Sequence, residues 1–567
     1  MTKEFKIKPL PDRKEIWEVS ERHKIGKVLA ALLIQRGVKE PFDVDEFIEA
    51  GISYFHDPFL LKDMDKAVKL LGEAKDRKER VWVFGDYDID GMSSLAILYT
   101  SLVKLGFNVR WFLPERKDDF YDLQTEQVEK IAEKGCDLLI TSDCGSNARE
   151  AVALAGKKGM KVIVTDHHIV SEPAKPDALI NPMQEDCEYP YKFLCGTVVA
   201  YKLIMGYTLK YSLDPWGFTD SVMDYLCLAT VADFMPLTGE NRAIVKTGLK
   251  YLADTDHTGL AWLLRQAYLF KDITVRQLQF KVIPKLNSAG RMGRTRSAFE
   301  LLAENDQERS EILYKEIEET DRKRRELEEE MLKEAVEIIK EENYENDSFL
   351  VVYRPDWESS LCGNVAAKLC KKYNRPCIAI GKLGDKPEIK GSGRNNDDGV
   401  DIFRIVEKAK DCLKVFGGHR SAVGVTLYPE DVDIFRKKIN ECFEKEDFGE
   451  KETEYDLCLK IGALDLKLCA DIEKLAPFGE KNPEPVFVSK DLEIRQIAVM
   501  GKDKKHTKIV FEKAPGEYIE CVKWNWVNEE LRVGDRVDVA YTLEVNDFNF
   551  QKTPQMLLKE ISVRSPE

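Results

Sequence analysis

Four short stretches of this chain set acidic residues, once followed by two histidines, directly behind β-type apolar runs. They are VWVFGDYDID (81–90), LLITSDCG (138–145), VIVTDHH (162–168) and LATVADFMPL (228–237). A single aspartate at a strand end is ordinarily a helix cap. The triplet Asp86, Asp88 and Asp90 is harder to explain that way, because carboxylates so close repel one another and a cation between them is the usual remedy. Gly91 lets the chain bend into the helix that follows. Asp143, Asp166, His167, His168 and Asp233 add further oxygen and nitrogen donors, and the adjacent pair stands out in a chain with only seven histidines. Carboxylates suit hard ions such as Mg²⁺ and Mn²⁺, and imidazole among them favours Mn²⁺ over Ca²⁺. Two ions about 4 Å apart can clamp a phosphate and supply hydroxide for in-line attack. The chemistry expected is therefore metal-assisted phosphoester hydrolysis, with His168 either a ligand or a donor to a phosphate oxygen.

Other stretches suit the phosphate itself. LNSAGRMG (286–293) puts Asn287 and Arg291 beside glycines, and GSGR (391–394) and GGHRSAVG (417–424) repeat the idea. Backbone N–H groups and guanidinium can grip phosphate oxygens at such turns, although each alone also reads as an ordinary glycine turn. The net charge of −15 argues against a polyanionic partner only if charge is spread evenly. It is not: KVIPKLNSAGRMGRTRSA (281–298) carries Lys281, Lys285, Arg291, Arg294 and Arg296 and no acid, and GKDKKHTK (501–508) is also basic.

The elements that must position these residues follow from pattern. From 78 to about 245, strand-like runs alternate with helix-length segments, which implies βαβ units and a mostly parallel sheet. Ligands of such sheets collect at the carboxyl ends of the strands, so acids distant in sequence would converge there. Residues 305–342 lack Gly and Pro and repeat apolar residues at roughly helical spacing. A continuous helix there would be about 50 Å long and could join two domains; a coiled-coil dimer is the other reading, with its heptads broken around 320–326. SFLVVYRP (348–355), a helix at 363–373 and PCIAIG (376–381) open a second, smaller α/β unit. The region 455–567 turns β-rich, with short strands that suit a small barrel of the oligonucleotide-binding type. Its Trp524, Trp526 and Phe548 are either buried core or faces for base stacking.

The 567 residues leave room for three or four domains, and 43% apolar residues can fill real cores. No run of eighteen apolar residues exists, so no transmembrane helix is expected. The charged N-terminus lacks an apolar signal core, and thirteen cysteines contain no CxxC pair. The expectation is reduced, buried thiols in a cytoplasmic protein with no membrane association.

Taken together and in order, DYDIDG, TSDCG, TDHH, ATVADFMPLTGENR and PKLNSAGRMG, then GSGR and GGHRSAVG, then LAPFGEKNPEPVF (475–487), HTKI and GDRVDVAYTLEVNDF (534–548) resemble the DHH/DHHA1 phosphoesterase family. The resemblance runs over most of the chain. It implies an N-terminal helical/mixed segment (1–65), a DHH domain (66–304), a connecting helix (305–345), a DHHA1 domain (346–450) and an OB-fold-like nucleic-acid-binding domain (451–567) that closes the substrate path. The fold implied is α/β: a mostly parallel-sheet DHH domain joined by a long helix to a smaller α/β DHHA1 domain, then a β-barrel. The activity implied is a two-metal, Mn²⁺- or Mg²⁺-dependent exonuclease that takes single-stranded DNA 5′→3′ to 5′-mononucleotides in bacterial recombination and repair. Single-strand-binding protein and a repair helicase are its implied partners. Carried over residue by residue, the metal set is Asp88, Asp90, Asp143, His167 and Asp233, with Asp86, and the phosphate set is His168, Asn287, Arg291, Ser392, Arg394 and His419.

The chain departs from the family pattern in five places: Phe120 and Asp122 stand for glycines in PERKDDFYDL, Cys144 for Asn, Glu358 for His after Trp357, Val423 for Ala, and Asn395 for Ser. None is a proposed ligand. Asp122 and Glu358 are expected to add negative charge where nucleic acid passes. Two other readings keep the same motifs: a phosphodiesterase for short oligoribonucleotides or cyclic dinucleotides, and a non-catalytic relative serving as a replication scaffold.

Overall fold

The computed structural model describes residues 4–114, 122–384, 386–397, 399–446, 448, 453–528, 530–547 and 551–564. Phe120 and Phe548 lie outside these. The chain forms two compact units. One comprises His56–Asp233 and Gly248–Lys451, the other Met1–Phe55, Phe234–Thr247 and Glu452–Glu567. No described helix is long and apolar enough to cross a membrane.

The first of these units is built on two sheets. Strands β1 (Arg80–Gly85), β2 (Asn108–Phe112), β3 (Leu138–Ser142), β4 (Lys161–Thr165) and β5 (Ala178–Ile180) form one sheet. All of them are parallel, in the order β2-β1-β3-β4-β5. The apolar runs of β1, β3 and β4 are buried on both faces, as a parallel sheet covered by helices requires. Helices α1 (Ile89–Lys104), α2 (Gly196–Lys210) and α3 (Met223–Ala232) are apolar almost all round and pack on one another. Helix α4 (Ile283–Arg291) carries the PKLNSAGR motif.

Helix α5 (Gln307–Glu341) is continuous over 35 residues, about 50 Å. Asp306 caps it through the Arg309 N–H at 2.8 Å. Its apolar residues are used within the chain: Leu313 and Ile317 are buried where it packs on α4, and Met331, Ala335 and Ile339 enter the core of the smaller subdomain. The broken heptads at 320–326 mark a buried polar network. Arg324 bonds Asp321 at 2.7 Å and also Glu328, which accepts from Asn364 and from Lys368 at 3.1 Å. Asn364 and Lys368 belong to α6 (Ser359–Tyr373), so this network ties the connecting helix to the second sheet's main helix. That sheet holds β6 (Leu350–Glu358), β7 (Cys377–Lys382), β8 (Ile389–Arg394), β9 (Val415–His419) and β10 (Ala422–Leu427), in the order β9-β10-β8-β7-β6.

The other unit centres on a closed barrel of β11 (Phe487–Met500), β12 (His506–Ala514), β13 (Glu517–Lys523), β14 (Arg536–Asn546) and β15 (Thr553–Val563). The strands run β11-β12-β13-β15-β14 and β14 pairs back to β11; only β13–β15 is parallel. This is the five-stranded oligonucleotide-binding topology expected from the sequence. Apolar residues of the N-terminal segment join the same core, where Ile25, Leu29, Leu32 and Leu33 cluster with Ile472, Phe487 and Tyr541.

One buried guanidinium closes this unit. Arg242 donates to the carbonyls of Phe47 (2.7 Å), Lys474 (3.1 Å), Leu475 (2.8 Å) and Ala476 (2.8 Å), and it stacks on the Phe47 ring. Burial pulls its pKa down to about 9. Arg242→Met would remove the donor to the carbonyls of Phe47, Lys474 and Ala476, leaving Leu475 O only its bond from Asn482, and is expected to destabilise this unit by roughly 3 kcal/mol, read as a lowered calorimetric transition.

Candidate metal centre

The carboxyl ends of β1, β3 and β4 lie side by side, with Gly85, Ser142 and Thr165 in register. The residues just beyond them are Asp86, Asp143 and Asp166, so adjacency of the strands alone brings three acids together. Asp88 caps α1 through Gly91 N–H at 3.0 Å, and Asp90 sits in that helix's first turn. A side chain at Gly91 would collide with the Asp86 backbone at 2.4 Å, which is why glycine opens this helix.

Asp233 arrives differently from expectation. The LATVA run is the end of helix α3, not a strand, and Asp233 stands at its C-cap. An apolar run with no polar face looks alike in a buried helix and a buried strand.

Three carboxylates converge on one imidazole nitrogen. His167 Nε2 lies 3.1 Å from Asp143 Oδ1, 3.6 Å from Asp233 Oδ2 and 3.7 Å from Asp90 Oδ2. Three donor groups place ligand atoms within 4.8 Å of one another: Asp90–His167–Asp233, Asp143–His167–His168 and Asp86–Asp88–Asp143. Asp143 and His167 are each shared between two groups. All six residues named as metal ligands are thus brought together.

Asp166 is not among them. It accepts the N–H groups of Ser146 (3.0 Å), His167 (2.7 Å) and His168 (3.2 Å) and holds His168 Nδ1 at 2.8 Å. Its role is to orient the two histidines. Burial pulls the His168 pKa down, but the hydrogen bond and charge of Asp166 outweigh it, and the imidazole is pushed up to about 9. His168 is therefore cationic near neutral pH. His167 is lowered by burial, which keeps a neutral ring available as a ligand.

The donor set fits hard divalent cations. Asp143 is 2% exposed, yet its Oδ1 accepts no hydrogen bond, and neither does the buried Asp233 Oδ2. Burial and the charges of Asp90, Asp88, Asp86 and Asp233 raise the Asp143 pKa well above the usual carboxylate range. Burial and the charges of Asp90 and Asp88 raise Asp233. Buried acceptors that repel one another and lack donors are what a bound cation satisfies. Asp143 also holds a left-handed backbone, φ 61°, a strained conformation concentrated at functional positions.

Sequence reasoning did not single out Gly196 and Thr197, which open α2. Their N–H groups bind the Asp90 carboxylate at 2.7 and 2.8 Å, so a helix N-terminus steadies that charge. A Cβ at Gly196 would lie 2.5 Å from Asp143 Oδ1. The available signal was Gly-Thr before an apolar helix, which by itself is commonplace.

Asn287 and Arg291 line a cavity of about 200 Å³ with Asp88, Asp90 and Asp233. Arg291 also donates to Ser360 O at 3.0 Å, at the start of α6. Ser392, Arg394 and His419 are not in the ligand groups. They share one face of the second sheet, where Arg394 and His419 both pair with Ala422 and Ser392 pairs with Gly424.

The departures from the family pattern have structural roles. Asp122, φ 75°, takes the left-handed conformation that a glycine would favour, and its carboxylate accepts from Leu123 N at 2.8 Å and Gly145 N at 2.7 Å. It is therefore bound to the turn that follows Asp143. Glu358 pairs with Lys382 at 2.8 Å. Each of these added acids therefore has a partner within the fold. Cys144 and Val423 are buried, and Asn395 binds the backbone of its own loop.

The sequence matches the DHH family N-terminal domain over residues 80–230, the DHHA1 domain over 346–445 and the RecJ OB domain over 455–560. A phosphoesterase core of the DHH/DHHA1 type with an appended OB barrel is the class these matches define. The chain is 30% identical to the single-stranded-DNA-specific exonuclease RecJ of Bacillus subtilis, over 98% of this chain and 70% of that protein. It is 29% identical to that of Dickeya dadantii, over 94% and 96%. The crystal structure of RecJ in complex with Mn²⁺ from Thermus thermophilus superimposes with a TM-score of 0.83 at 25% identity, covering 99% of this chain and 80% of that one. The chain belongs to the RecJ family.

The raised carboxylates make the metal-free folded protein hold protons more tightly than the unfolded chain. Their contribution to stability is complete below the ordinary carboxylate pKa and is lost as pH rises through the raised folded values. In EDTA, the melting temperature is expected to fall between about pH 5 and pH 8. Saturating Mn²⁺ should remove most of that slope, and Asp233→Asn should reduce it without metal; differential scanning fluorimetry across pH reads both.

Proposed function

We propose that this chain is a metal-dependent exonuclease that hydrolyses single-stranded DNA from the 5′ end to 5′-mononucleotides, in DNA recombination and repair. The observation that carries this reading is the convergence of Asp90, Asp143 and Asp233 on His167 Nε2, with ligand atoms of Asp86 and Asp88 within 4.8 Å of one of Asp143. Substrate and reaction class are those named for the RecJ relatives, and RecJ of T. thermophilus is described in complex with Mn²⁺ and with Mg²⁺.

Asp86, Asp88, Asp90, Asp143, His167 and Asp233 would hold two Mn²⁺ or Mg²⁺ ions. Bound there, divalent cations polarise the phosphodiester and make water acidic enough to attack at neutral pH. The chain's own groups do the remainder. Gly196 and Thr197 N–H fix the Asp90 carboxylate, and Asp166 fixes the His168 imidazole and the His167 backbone N–H. Cationic His168 donates to a non-bridging oxygen, and Asn287 and Arg291 orient the phosphate from the facing wall of the cavity. Ser392, Arg394 and His419 hold a neighbouring phosphate on the smaller subdomain's sheet. In the barrel unit, Trp524 is 58% exposed beside His506, with ring centroids 5.0 Å apart, whereas Trp526 packs partly against the core. Of these two, Trp524 is the ring available for base stacking.

The test is a manganese titration on single strands of graded length, blocked at either end. Mononucleotides should appear only when the 5′ end is free, and long strands should be preferred. Preference for two- to four-mers would favour the short-oligonucleotide reading instead. Asp143→Ala should lower kcat by at least about a thousandfold while the circular dichroism spectrum stays unchanged; full activity in that variant would refute the site.

A further inference from the structure

The segment between helix Thr258–Gln266 and α4 is folded inside out for an ordinary connector. Its aliphatic residues Leu269, Ile273, Val275, Leu278 and Val282 are buried. Its aromatic rings are outside: Tyr268 is 81% exposed, Phe270 60% and Phe280 73%. Large rings usually supply buried area first, so three in one short stretch left in water mark a contact surface.

Backbone and charge point the same way. Tyr268 follows the end of its helix with φ 58°, and the turn closes through Tyr268 N–Arg265 O and Leu269 N–Leu264 O bonds, both 3.0 Å. Glycine is the residue this left-handed position favours, and a bulky ring there is strained. Lys271 and Arg276 lie between the rings and Arg265 and Lys281 flank them, with Asp272 the one acid from 265 to 281, in a chain whose net charge is −15. Ion pairs are abundant elsewhere on this protein, yet none of these four cations has a carboxylate partner among the described residues. Arg276 lies 6.0 Å from the Phe280 ring, and Lys281 Nζ reaches back to Ala267 O at 3.5 Å, so the two ends of the segment are neighbours.

The segment runs directly into the catalytic wall. A wide helical turn, Leu278–Val282, continues without a break into α4, whose Asn287 and Arg291 line the cavity with Asp88, Asp90 and Asp233. Gln279, Phe280, Lys281, Pro284, Lys285, Asn287 and Arg291 are exposed or half-exposed, while Leu278, Val282, Ile283, Leu286 and Gly290 are buried. Phe280 is thus about 10 Å along the helix from Asn287 and about 16 Å from Arg291.

We infer that Tyr268, Phe270 and Phe280, with Lys271 and Arg276, form a stacking track for single-stranded nucleic acid, holding bases several nucleotides from the phosphate under attack. Aromatic faces interleaved with cations are the chemistry that grips a single strand without reading its sequence. A protein partner would be met equally well by the rings, but it would leave four unpaired cations unexplained; a polyanion uses both. The inference rests on the proposed exonuclease reading, and it concerns grip, not chemistry.

The test compares the full-length protein with the Tyr268→Ser/Phe270→Ser/Phe280→Ser variant, with Phe280→Trp as the conservative control. Substrates run from 5′-phosphorylated dinucleotides to strands long enough to pass well beyond α4. The triple variant should keep the wild-type melting temperature, kcat and KM on dinucleotides. Its KM for long strands, and its Kd for them in EDTA by fluorescence anisotropy, should rise about tenfold, and Phe280→Trp should stay near wild type. Unchanged KM and Kd on long strands would overturn the track, and so would an equal loss on dinucleotides, which would put the damage in the catalytic cavity. A wild-type protein that releases no nucleotides with Mn²⁺ would instead sink the exonuclease reading, while the EDTA anisotropy would still decide the track.

Discussion

Carboxylates of like charge, buried together with too few donors, are the constraint around which the larger unit is organised. Asp86, Asp90 and Asp143 are nearly inaccessible, and Asp88 and Asp233 stand beside them. Such a cluster cannot stay ionised by itself, because desolvation and mutual repulsion both favour the neutral acids. The scaffold partly answers this with the N-terminus of α2, whose first N–H groups take the Asp90 carboxylate. It leaves Asp143 Oδ1 and Asp233 Oδ2 without hydrogen bonds. The residual imbalance is what a divalent cation corrects, so the site's stability and its chemistry have one electrostatic origin.

Holding that cluster explains the rigidity of its surroundings. Parallel strands buried on both faces fix the spacing of Asp86, Asp143 and Asp166, and an all-apolar trio of helices sits behind them. Asp166 is as buried as the proposed ligands but spends its oxygens on four internal donors. Two acids of the same type, one strand apart, thus do different work because one is saturated with hydrogen bonds and the other is not. Asp122 extends the same scheme, since it tethers the turn after Asp143 through Gly145 N–H.

An acidic protein that handles a polyanion must confine its cations to the path of the substrate. In the larger unit, basic residues cluster on the segment leading into α4 and on the face of the second sheet that bears Arg394 and His419. The joint between the two subdomains is polar as well, since Glu328 on α5 gathers Arg324, Asn364 and Lys368. A buried charged network is a weak source of net stability, yet it accepts few geometries and therefore suits a joint that must hold one orientation.

Local pattern was enough to read much of this protein. Strand–helix alternation announced the parallel sheet, the Gly- and Pro-free stretch announced the long helix, and β-rich punctuation announced the barrel. Acid-after-strand motifs named Asp86, Asp88, Asp90, Asp143 and the two histidines, because a parallel sheet puts its strand ends at one edge by rule. Three matters were decided only in space. Asp233 reaches the cluster from a helix end, since an all-apolar run carries no periodicity to tell helix from strand. Gly196 and Thr197 support Asp90 from more than a hundred residues away, through backbone N–H groups that have no side-chain signature. Whether a charge is spent or spare, as with Asp166 against Asp143, depends on which donors the fold delivers. Sequence fixes the inventory of such groups; only packing decides which of them find partners.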